Sequence, residues 1–495
     1  MKRFTFSENT SKSEAIISFA LQINSLAENR EKDDDFLEEN EIFMLTVGEK
    51  GKFSAENFYQ NKLTIRAVGE ELSLHGYAPD FNRTGNAVVL PGGKKLKTSE
   101  KYSFKVVLTK RRVYIYLNGA LVESYGNARE TVDGYAFFVR NGENIDISDV
   151  GFTSRDEEEY PTSEKLTYCV EKGLFGGYLS YDKTREGLTF NRLDVKSCFE
   201  CTTRNFYAYD SGLTLDAETD ASGIKLDFKV VDIPVGNWNM QFGFAADGRR
   251  ITQPIKLVNR GEYASVTMNN PFKDGKRHRL TVFFPTSCGL ALTRAEFLNA
   301  TFAERVKKDV RAIFIGDSIT EGSECFDASR AYPNALALHY GLDALNQSLG
   351  GMSFGDYCAS GNYPEPFDVA FIALGTNSFC GGTGDKAKTL KTVAEQAEKL
   401  VKRIKEKFPD CRIYGLLPIW RSDEDGVNFS LKDTSRALRS VYSRLNVRII
   451  NCHDFVPKDY GYFSDPIFAI HPTSEGHDFY AENLIAAIDK KYKKI

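Results

Sequence analysis

Three side chains that lie far apart along the chain have the chemistry needed to attack a carbonyl group. They are the hydroxyl of Ser318, the carboxamide of Asn377 and the imidazole of His471. A serine hydroxyl is a weak nucleophile at its ordinary pKa, so it needs an adjacent base. A histidine imidazole can be that base, because it titrates near neutral pH. These residue types point to attack on an acyl carbonyl, provided that the fold brings them together.

The segments that carry this chemistry are placed at the ends of predicted strands. Residues 316–322, 346–351 and 375–377 each lie at or just beyond the end of a strand-like run. In doubly wound parallel sheets, ligands bind outside the carboxyl ends of the strands, where the strand order reverses. A flavodoxin-like order makes the first and third strands neighbours, so we expect Ser318 and Asn377 to face one crevice.

The elements that must position these segments alternate between strands and helices from about residue 306. The run at 369–374 is continuously apolar, which is typical of a strand buried on both faces. The apolar residues of 386–408 are spaced by three and four, which is typical of one face of a helix. Such alternation predicts βαβ units and a parallel sheet, so residues 306–495 are expected to form a three-layer α/β domain. Strands are expected at 310–315, 369–374, 413–419 and 447–451, with another beginning at 344, and helices at 332–340, 386–408, 435–445 and 474–491.

Residues 1–155 consist of short strand-like runs and predict a β-sandwich. The strongest signal is Asn118-Gly119 between two apolar runs, because both residues tolerate positive φ and favour a hairpin turn. The run Tyr-Ile-Tyr-Leu-Asn-Gly at 114–119 resembles a hairpin of laminin-G and concanavalin-A-like lectin sandwiches. That resemblance implies either a lectin role or a structural or interface role, and both stay open.

Residues 160–305 predict a second sandwich, of jelly-roll type. Residues 213–217 and 224–230 alternate apolar and polar side chains, so one face of each strand is expected to be buried. The acidic stretch at 155–161 ends in proline and is expected to be a solvated linker. The expected organisation is therefore multidomain, with two β-sandwiches at 1–155 and 160–305 followed by a three-layer, flavodoxin-like α/β domain at 306–495.

The last domain carries four short blocks, which are in order Gly316-Asp317-Ser318-Ile319, the Gly350-Gly351 turn, Gly375-Thr376-Asn377 and His471-Pro472. In their order and spacing they resemble the four blocks of the SGNH, or GDSL-type, serine hydrolases. The family-2 carbohydrate esterases also place a β-sandwich before an SGNH domain, and residues 160–495 resemble that architecture. The resemblance implies a serine esterase, and its closeness to the carbohydrate esterases implies removal of acetyl groups from a carbohydrate.

The resemblance also implies a role for each matching residue. Ser318 would be the nucleophile and His471 the base. The oxyanion would be bound by the backbone N–H groups of Ser318 and Gly351 and by the side-chain amide of Asn377. The register favours Gly351 over Gly350, and a glycine allows the backbone to approach the substrate closely. No metal and no organic cofactor is implied.

One position departs from the family pattern. The family carries an aspartate three residues before the histidine, whereas this chain has Phe468 there, and the nearest upstream acid is Asp465. Either Asp465 reaches the imidazole of His471 because the intervening residues bulge out, or a backbone carbonyl holds the Nδ1–H, as in the Ser-His dyads of some family-2 carbohydrate esterases. A missing acid weakens stabilisation of the imidazolium but need not abolish catalysis.

Three further side chains bear on a site. Trp420 follows a predicted strand, where it could belong to the core or bind substrate as a ring on which a sugar stacks. His477 lies inside the predicted last helix and is expected to face solvent. The pair Cys198 and Cys201 lacks the second pair or nearby histidines that a structural zinc site needs, so no metal site is expected there.

Composition excludes several classes of partner. The 495 residues include 64 Lys+Arg and 68 Asp+Glu, a net charge of −4, which gives no reason to expect nucleic acid. The first basic residues lead into no unbroken apolar stretch, so neither a secretory signal nor a membrane span is expected. The nine cysteines form no framework, which favours free thiols and a cytoplasmic location. The expected partner is a small-molecule or oligosaccharide ester, and the sequence carries no signal for the oligomeric state.

Two rival functions remain consistent with the sequence. The chain could be a carbohydrate-binding protein whose hydrolase domain has lost catalysis, with Phe468 as the trace of that loss. It could also be a lipase or thioesterase that acts on longer acyl chains.

Overall fold

The structure is a computed structural model of the chain, which divides into two compact units, Met1–Glu158 and Glu159–Ile495. The second unit contains both the second sandwich and the α/β part, so the separation of 160–305 from 306–495 as domains stays a prediction. Cys198, Cys201 and part of the expected linker lie outside the described residues. The structure describes residues 5–6, 14–27, 41–48, 61–68, 71–77, 87–88, 96–109, 112–126, 134–140, 142–156, 159, 161–193, 209–232, 241–253, 263–356, 366–465, 467–492 and 495.

The first unit is built from two antiparallel sheets. One sheet has the strand order β1-β10-β3-β4-β5-β6 and the other β11-β2-β7-β8-β9. Side chains of both sheets share one apolar core, in which Phe19 stacks on Phe104 and meets Phe137 edge-on. The sandwich expected here is therefore present. Its strands are β1 Thr5–Phe6, β2 Glu14–Ser25, β3 Glu41–Gly48, β4 Asn61–Val68, β5 Glu71–Tyr77, β6 Ala87–Val88, β7 Lys101–Thr109, β8 Arg112–Leu117, β9 Ala120–Gly126, β10 Gly134–Val139 and β11 Asn144–Arg155.

The hairpin predicted at Asn118-Gly119 is confirmed. These two residues join β8 to β9 with φ values of 48° and 83°. A two-residue turn with both φ angles positive matches the twist of the flanking strands, and asparagine and glycine adopt it at the lowest steric cost. The resemblance of this hairpin to lectin sandwiches stays a prediction.

The second unit begins with another pair of antiparallel sheets. Their strand orders are β12-β15-β20-β17-β18, with β22 beside β15, and β13-β14-β21-β16-β19. They enclose an apolar core of their own, against which the helix α1 packs. The elements are α1 Glu164–Glu171, β12 Phe175–Gly176, β13 Ser180–Thr184, β14 Gly187–Asn191, β15 Thr214–Thr219, β16 Gly223–Asp232, β17 Gly243–Ala246, β18 Arg249–Arg250, β19 Tyr263–Asn269, β20 His278–Phe283, β21 Gly289–Leu298 and β22 Ala303–Arg305.

The rest of the second unit is a three-layer α/β fold. Its parallel sheet has the order β24-β23-β25-β26-β27, which is the flavodoxin-like order expected. One apolar cluster lies between the sheet and α5 and α6, and a second lies between the opposite face and α3 and α7. The elements are β23 Val310–Gly316, α2 Ser318–Glu321, α3 Tyr332–Tyr340, β24 Leu342–Asn346, β25 Val369–Ala373, α4 Thr376–Phe379, α5 Lys386–Lys407, β26 Arg412–Leu417, α6 Leu431–Arg444, β27 Arg448–Asn451 and α7 Ser474–Tyr492.

Two sequence predictions differ from this part of the fold. Helix α6 begins at Leu431 rather than at 435, because Ser430 and Asp433 form a reciprocal capping box that satisfies the first N–H groups. His477 is fully buried instead of facing solvent, since α7 packs its first turns against α3. No helix among the described residues is both long enough and apolar enough to cross a lipid bilayer.

Candidate active site

Ser318 stands at the turn between β23 and α2, at the carboxyl edge of the sheet. Asp317 caps the helix by accepting a hydrogen bond from the Ile319 N–H at 3.1 Å. The first N–H groups of a helix have no intrahelical acceptor, so the N–H of Ser318 is left for another partner. A side chain at Gly316 would lie 2.0 Å from Thr320 Oγ1, so the tight turn requires glycine there.

The fold brings His471 to this serine. Its Nε2 lies 2.8 Å from Ser318 Oγ, although the two residues belong to opposite ends of the α/β part. The loop before α7 is held in place because the Ser464 N–H donates to the His471 carbonyl at 3.0 Å and Phe463 forms a β-bridge with Pro472. Both side chains are half-buried, so the hydroxyl and the imidazole form a pair that a small molecule can reach.

The acid beside the imidazole is not Asp465. The carboxylate of Asp465 accepts hydrogen bonds from the N–H groups of Ile467 and Phe468, at 2.9 and 3.2 Å, and makes no hydrogen bond or ion pair with His471. The side chain closes a tight turn of its own loop, which satisfies it locally. The expectation that Asp465 orients the histidine is therefore not met by this geometry.

Glu324 takes the place next to His471 instead. Its Oε1 lies 3.4 Å from His471 Nδ1, and its side chain is 13% exposed. Its Oε2 is buried and has no hydrogen-bond partner among the described residues. Glu324 has φ of 68°, a left-handed conformation that is uncommon outside glycine and asparagine and that often accompanies function. Sequence analysis missed this residue, and its only signal was an acidic side chain on the same segment as Ser318.

The Gly350-Gly351 turn follows β24. The Gly350 N–H donates to Glu321 Oε2 at 2.9 Å, so this group is already engaged. Gly351 is exposed and has φ of 77°, which a side chain would oppose. Before the turn, Asn346 Oδ1 accepts from the Ser348 N–H at 3.1 Å, which fixes the first part of the loop after β24. Of the two glycines, Gly351 is the one whose N–H is not committed to Glu321.

Asn377 lies in the first turn of α4, which follows β25, the neighbour of β23 in the sheet. Its Nδ2 donates to the carbonyl of Met352 at 3.0 Å, which ties it to the Gly350-Gly351 turn. A carboxamide nitrogen carries two hydrogens, so this contact leaves one for another acceptor. The segment is anchored from beneath because Arg421 donates to the Thr376 carbonyl at 3.1 Å.

Trp420 is half-buried, and its ring packs against aromatic rings of the loop that precedes His471. Its ring meets Phe463 edge-on at 5.6 Å and Tyr460 at 6.4 Å between centroids. Its backbone N–H donates to the His453 carbonyl at 3.0 Å. Trp420 thus contributes to packing, and substrate binding by its exposed part stays a prediction.

Two buried carboxyl groups flank the serine. Burial raises the pKa of Asp317 to about 6, although the Ile319 N–H opposes the rise. Burial also raises the pKa of Glu321 to about 7, and the positive charge of Arg192 opposes that rise. Both shifts follow from desolvation of the charged form. Among the described residues, no group of three or more His, Cys, Asp or Glu side chains is arranged to hold a metal ion.

Comparisons with known proteins agree with this fold. A comparison with curated proteins found no match. Among solved structures, the Salicylyl-Acyltransferase SsfX3 from a tetracycline biosynthetic pathway has 18% identity and a TM-score of 0.53, over 63% of this chain and 94% of that chain. A structure described as a GDSL-like lipase from Bacteroides ovatus has 16% identity and a TM-score of 0.50, over 65% of this chain and 96% of that chain.

A family two carbohydrate esterase from Clostridium thermocellum is also similar, with 17% identity and a TM-score of 0.46, over 65% of this chain and 99% of that chain. Residues 314–479, which include the serine, both glycines, the asparagine and the histidine described above, match the model of the GDSL-like Lipase/Acylhydrolase family. The carboxyl-terminal α/β part of this chain therefore contains a segment, residues 314–479, that is similar to the GDSL-like Lipase/Acylhydrolase family.

Proposed function

We propose that the α/β part is a serine esterase in which Ser318 is the nucleophile and His471 the general base. The observation that carries the proposal is the 2.8 Å contact between Ser318 Oγ and His471 Nε2. That distance lies within the range over which a base can take the proton of an attacking hydroxyl.

In the acylation step, His471 Nε2 takes the proton of Ser318 Oγ while Oγ bonds to the carbonyl carbon. The negative charge that develops on the carbonyl oxygen is stabilised by the N–H groups of Ser318 and Gly351 and by Asn377 Nδ2. The tetrahedral species then collapses, because the bond to the alcohol oxygen breaks and the imidazolium gives that oxygen its proton. The products are the free alcohol and an acyl ester of Ser318.

In the deacylation step, water attacks the acyl carbon and His471 takes one of its protons. The second tetrahedral species collapses with cleavage of the bond to Ser318 Oγ, which recovers its proton from the imidazolium. The carboxylic acid leaves and the enzyme is restored. No cofactor enters either step.

Glu324 supplies the negative charge that stabilises the imidazolium in both steps. It is suited to this role because Oε1 lies 3.4 Å from His471 Nδ1 and no described hydrogen-bond donor competes for Oε2. A carboxylate at Nδ1 also keeps the proton on that nitrogen and leaves Nε2 free to accept. The acid of the triad would thus come from the segment that carries the nucleophile.

For the substrate, we propose an O-acetyl ester of a carbohydrate. Support comes from the sandwich that precedes the hydrolase domain and from the half-exposed aromatic group around Trp420, on which a sugar ring could stack. A cytoplasmic location is likewise a proposal, which rests on cysteine usage.

The test is hydrolysis of an aryl acetate by the purified chain and by Ser318→Ala. We expect the variant to lose on the order of 10³-fold or more in kcat, because the nucleophile is gone. Ser323→Ala is the matched control, since it removes a hydroxyl of the same segment whose hydrogen-bond partner among the described residues is Ser287 Oγ. Full activity in Ser318→Ala would overturn the proposed mechanism.

Two further assays separate the rival functions. A serine-directed fluorophosphonate should label Ser318 in the esterase and leave a purely carbohydrate-binding protein unmodified. A comparison of acetyl with octanoyl esters addresses the chain length, because a sugar deacetylase prefers the short acyl group. A preference for the octanoyl ester would favour a lipase or thioesterase.

A further inference from the structure

A buried arginine of the sandwich reaches the loop beside the serine. Arg192 directly follows β14 and is 2% exposed. Its Nε donates to the Tyr209 carbonyl at 2.7 Å, and its Nη1 donates to the Asn346 carbonyl at 3.0 Å and to the Ser348 carbonyl. Its Nη2 donates to Glu321 Oε1 at 2.7 Å. One guanidinium therefore joins the sandwich, the loop after β24 and the helix of the nucleophile.

Glu321 links Arg192 to the Gly350-Gly351 turn. It is the last residue of α2 and is 1% exposed. While its Oε1 accepts from Arg192, its Oε2 accepts from the Gly350 N–H at 2.9 Å. The segment that leads into the turn is thus held by Arg192 at the carbonyl oxygens of Asn346 and Ser348, and the turn itself is held by Glu321 at the Gly350 N–H. Glu321 is also only one helical turn from Ser318, so the same contacts set the turn relative to the nucleophile.

The sandwich approaches this loop at a second point. A side chain at Gly212, which has φ of 87°, would lie 2.7 Å from Asn346 Cβ. The backbone of the sandwich therefore packs directly against the residue that begins the loop. The support for the turn comes from outside the α/β part as well as from within it.

Stability alone does not explain why the buried ion pair between Arg192 and Glu321 is present. Removing two charges from water costs free energy, and well-packed apolar side chains of similar volume often stabilise a protein as well or better. An arginine does, however, present several donors in a rigid planar fork, which fixes the positions of the oxygens that it binds. Catalytic donors must be held to within about 0.5 Å of their productive geometry. The turn that contains two successive glycines has little stiffness of its own.

We propose that Arg192 and Glu321 are positioning residues of the oxyanion hole. Arg192 acts on the segment before the turn and Glu321 on the Gly350 N–H, and together they aim the Gly351 N–H at the oxygen that gains charge when Ser318 attacks. The sandwich is then part of the catalytic machinery rather than a separate binding module. This inference rests on the proposed esterase function, since it assigns the support of the same site.

The test measures kcat and KM for an aryl acetate in Glu321→Gln and Arg192→Lys. The amide of the first variant places an NH2 group at one of the two oxygen positions, so one of the two donors, Arg192 Nη2 or the Gly350 N–H, loses its acceptor. Arg192→Lys keeps the positive charge but loses the planar set of donors that binds several oxygens at once. We expect kcat to fall by about 10-fold to 10²-fold with KM little changed, which is below the loss of about 10²–10³ for complete removal of an oxyanion-hole donor.

Two further measurements distinguish positioning from loss of stability. The affinity for an aryl trifluoromethyl ketone, which forms an anionic tetrahedral adduct with the serine, should fall in parallel with kcat. The double variant should lose less than the product of the two single losses, because both side chains act on one turn. Arg250→Gln is the control, since it breaks another ion pair between the sandwich and α7, to Asp478, and should leave kcat unchanged.

The outcomes separate this inference from the proposed function. If the unaltered protein hydrolyses no ester and takes no fluorophosphonate, the proposed function is wrong. If it does hydrolyse esters and the folded variants keep kcat and ketone affinity within about threefold, the positioning role is wrong. Should Glu321→Gln fail to fold, Arg192→Lys decides the question alone, because it leaves the charge balance of the site intact.

Discussion

Replacement of Glu324 tests the assignment of the acid most directly. Glu324→Gln keeps the shape of the side chain and an oxygen that can accept the Nδ1–H, but it removes the charge. Glu324→Ala removes both the charge and the acceptor. If Glu324 stabilises the imidazolium in the transition state, both variants lose kcat, and the alanine variant loses more.

The separation of the two side chains sets the size of the effect. At 3.4 Å, two unit charges attract by about 5 kcal/mol at an effective dielectric constant of about 20, and by about 2.5 kcal/mol at about 40. The side chains are 24% and 13% exposed, so solvent screens the pair and the lower figure applies better. A loss of about 2.5 kcal/mol lowers kcat by about 50-fold to 10²-fold.

The assay is steady-state hydrolysis of an aryl acetate at saturating substrate, with circular dichroism to establish that each variant is folded. We expect Glu324→Gln to lose about 50-fold to 10²-fold in kcat, with KM little affected because the charge acts on the transition state. If both folded variants keep kcat within about threefold of the parent protein, the imidazole is not stabilised by this carboxylate, and the Ser-His pair works as a dyad.

Three other changes probe the surroundings of the site. Asp465→Asn should leave kcat within about threefold, because the hydrogen bonds of this carboxylate among the described residues come from backbone N–H groups of its own turn; a loss as large as that of the Glu324 variants would restore it as the acid. Burial lowers the pKa of His477 to about 3 from 6.5, so the stability that it contributes is present above pH 6.5 and is lost as the pH falls toward 3. Urea unfolding should show about 2 kcal/mol less stability at pH 5 than at pH 7.5 from this residue, a difference that His477→Leu should abolish; an unchanged difference would contradict the assignment. Gly316→Ala places its methyl group 2.0 Å from Thr320 Oγ1, so we expect about 1–3 kcal/mol of lost stability by thermal unfolding, and an unchanged melting temperature would show that the turn can open.

The α/β part was predictable because its signals are local. Apolar residues at three- and four-residue spacing predicted α5 over 386–408, and the helix spans Lys386–Lys407. The continuous apolar run predicted β25, and the alternation of strands and helices predicted the parallel sheet. The side-chain period of a helix or strand is set by its own geometry, so it can be read without knowledge of the rest of the fold.

The support of the site was not predictable in the same way. Glu324 bears no spacing relationship to His471, and Arg192 is separated from Glu321 by more than a hundred residues. Which carboxylate reaches the imidazole depends on the direction of a short loop after α2, where Glu324 adopts a left-handed conformation. Such contacts produce no periodic pattern of residues in the sequence.

Residue types and local patterns were thus enough to predict that Ser318 and His471 meet, and at which edge of the sheet they do so. The position of Glu324 rather than Asp465 beside His471, and the contacts of Arg192 and Glu321 with residues 346–350, arose only when distant segments packed together. The reason is physical: a periodic pattern is encoded in each element separately, whereas the partner of a buried charge is decided by which segments exclude water together.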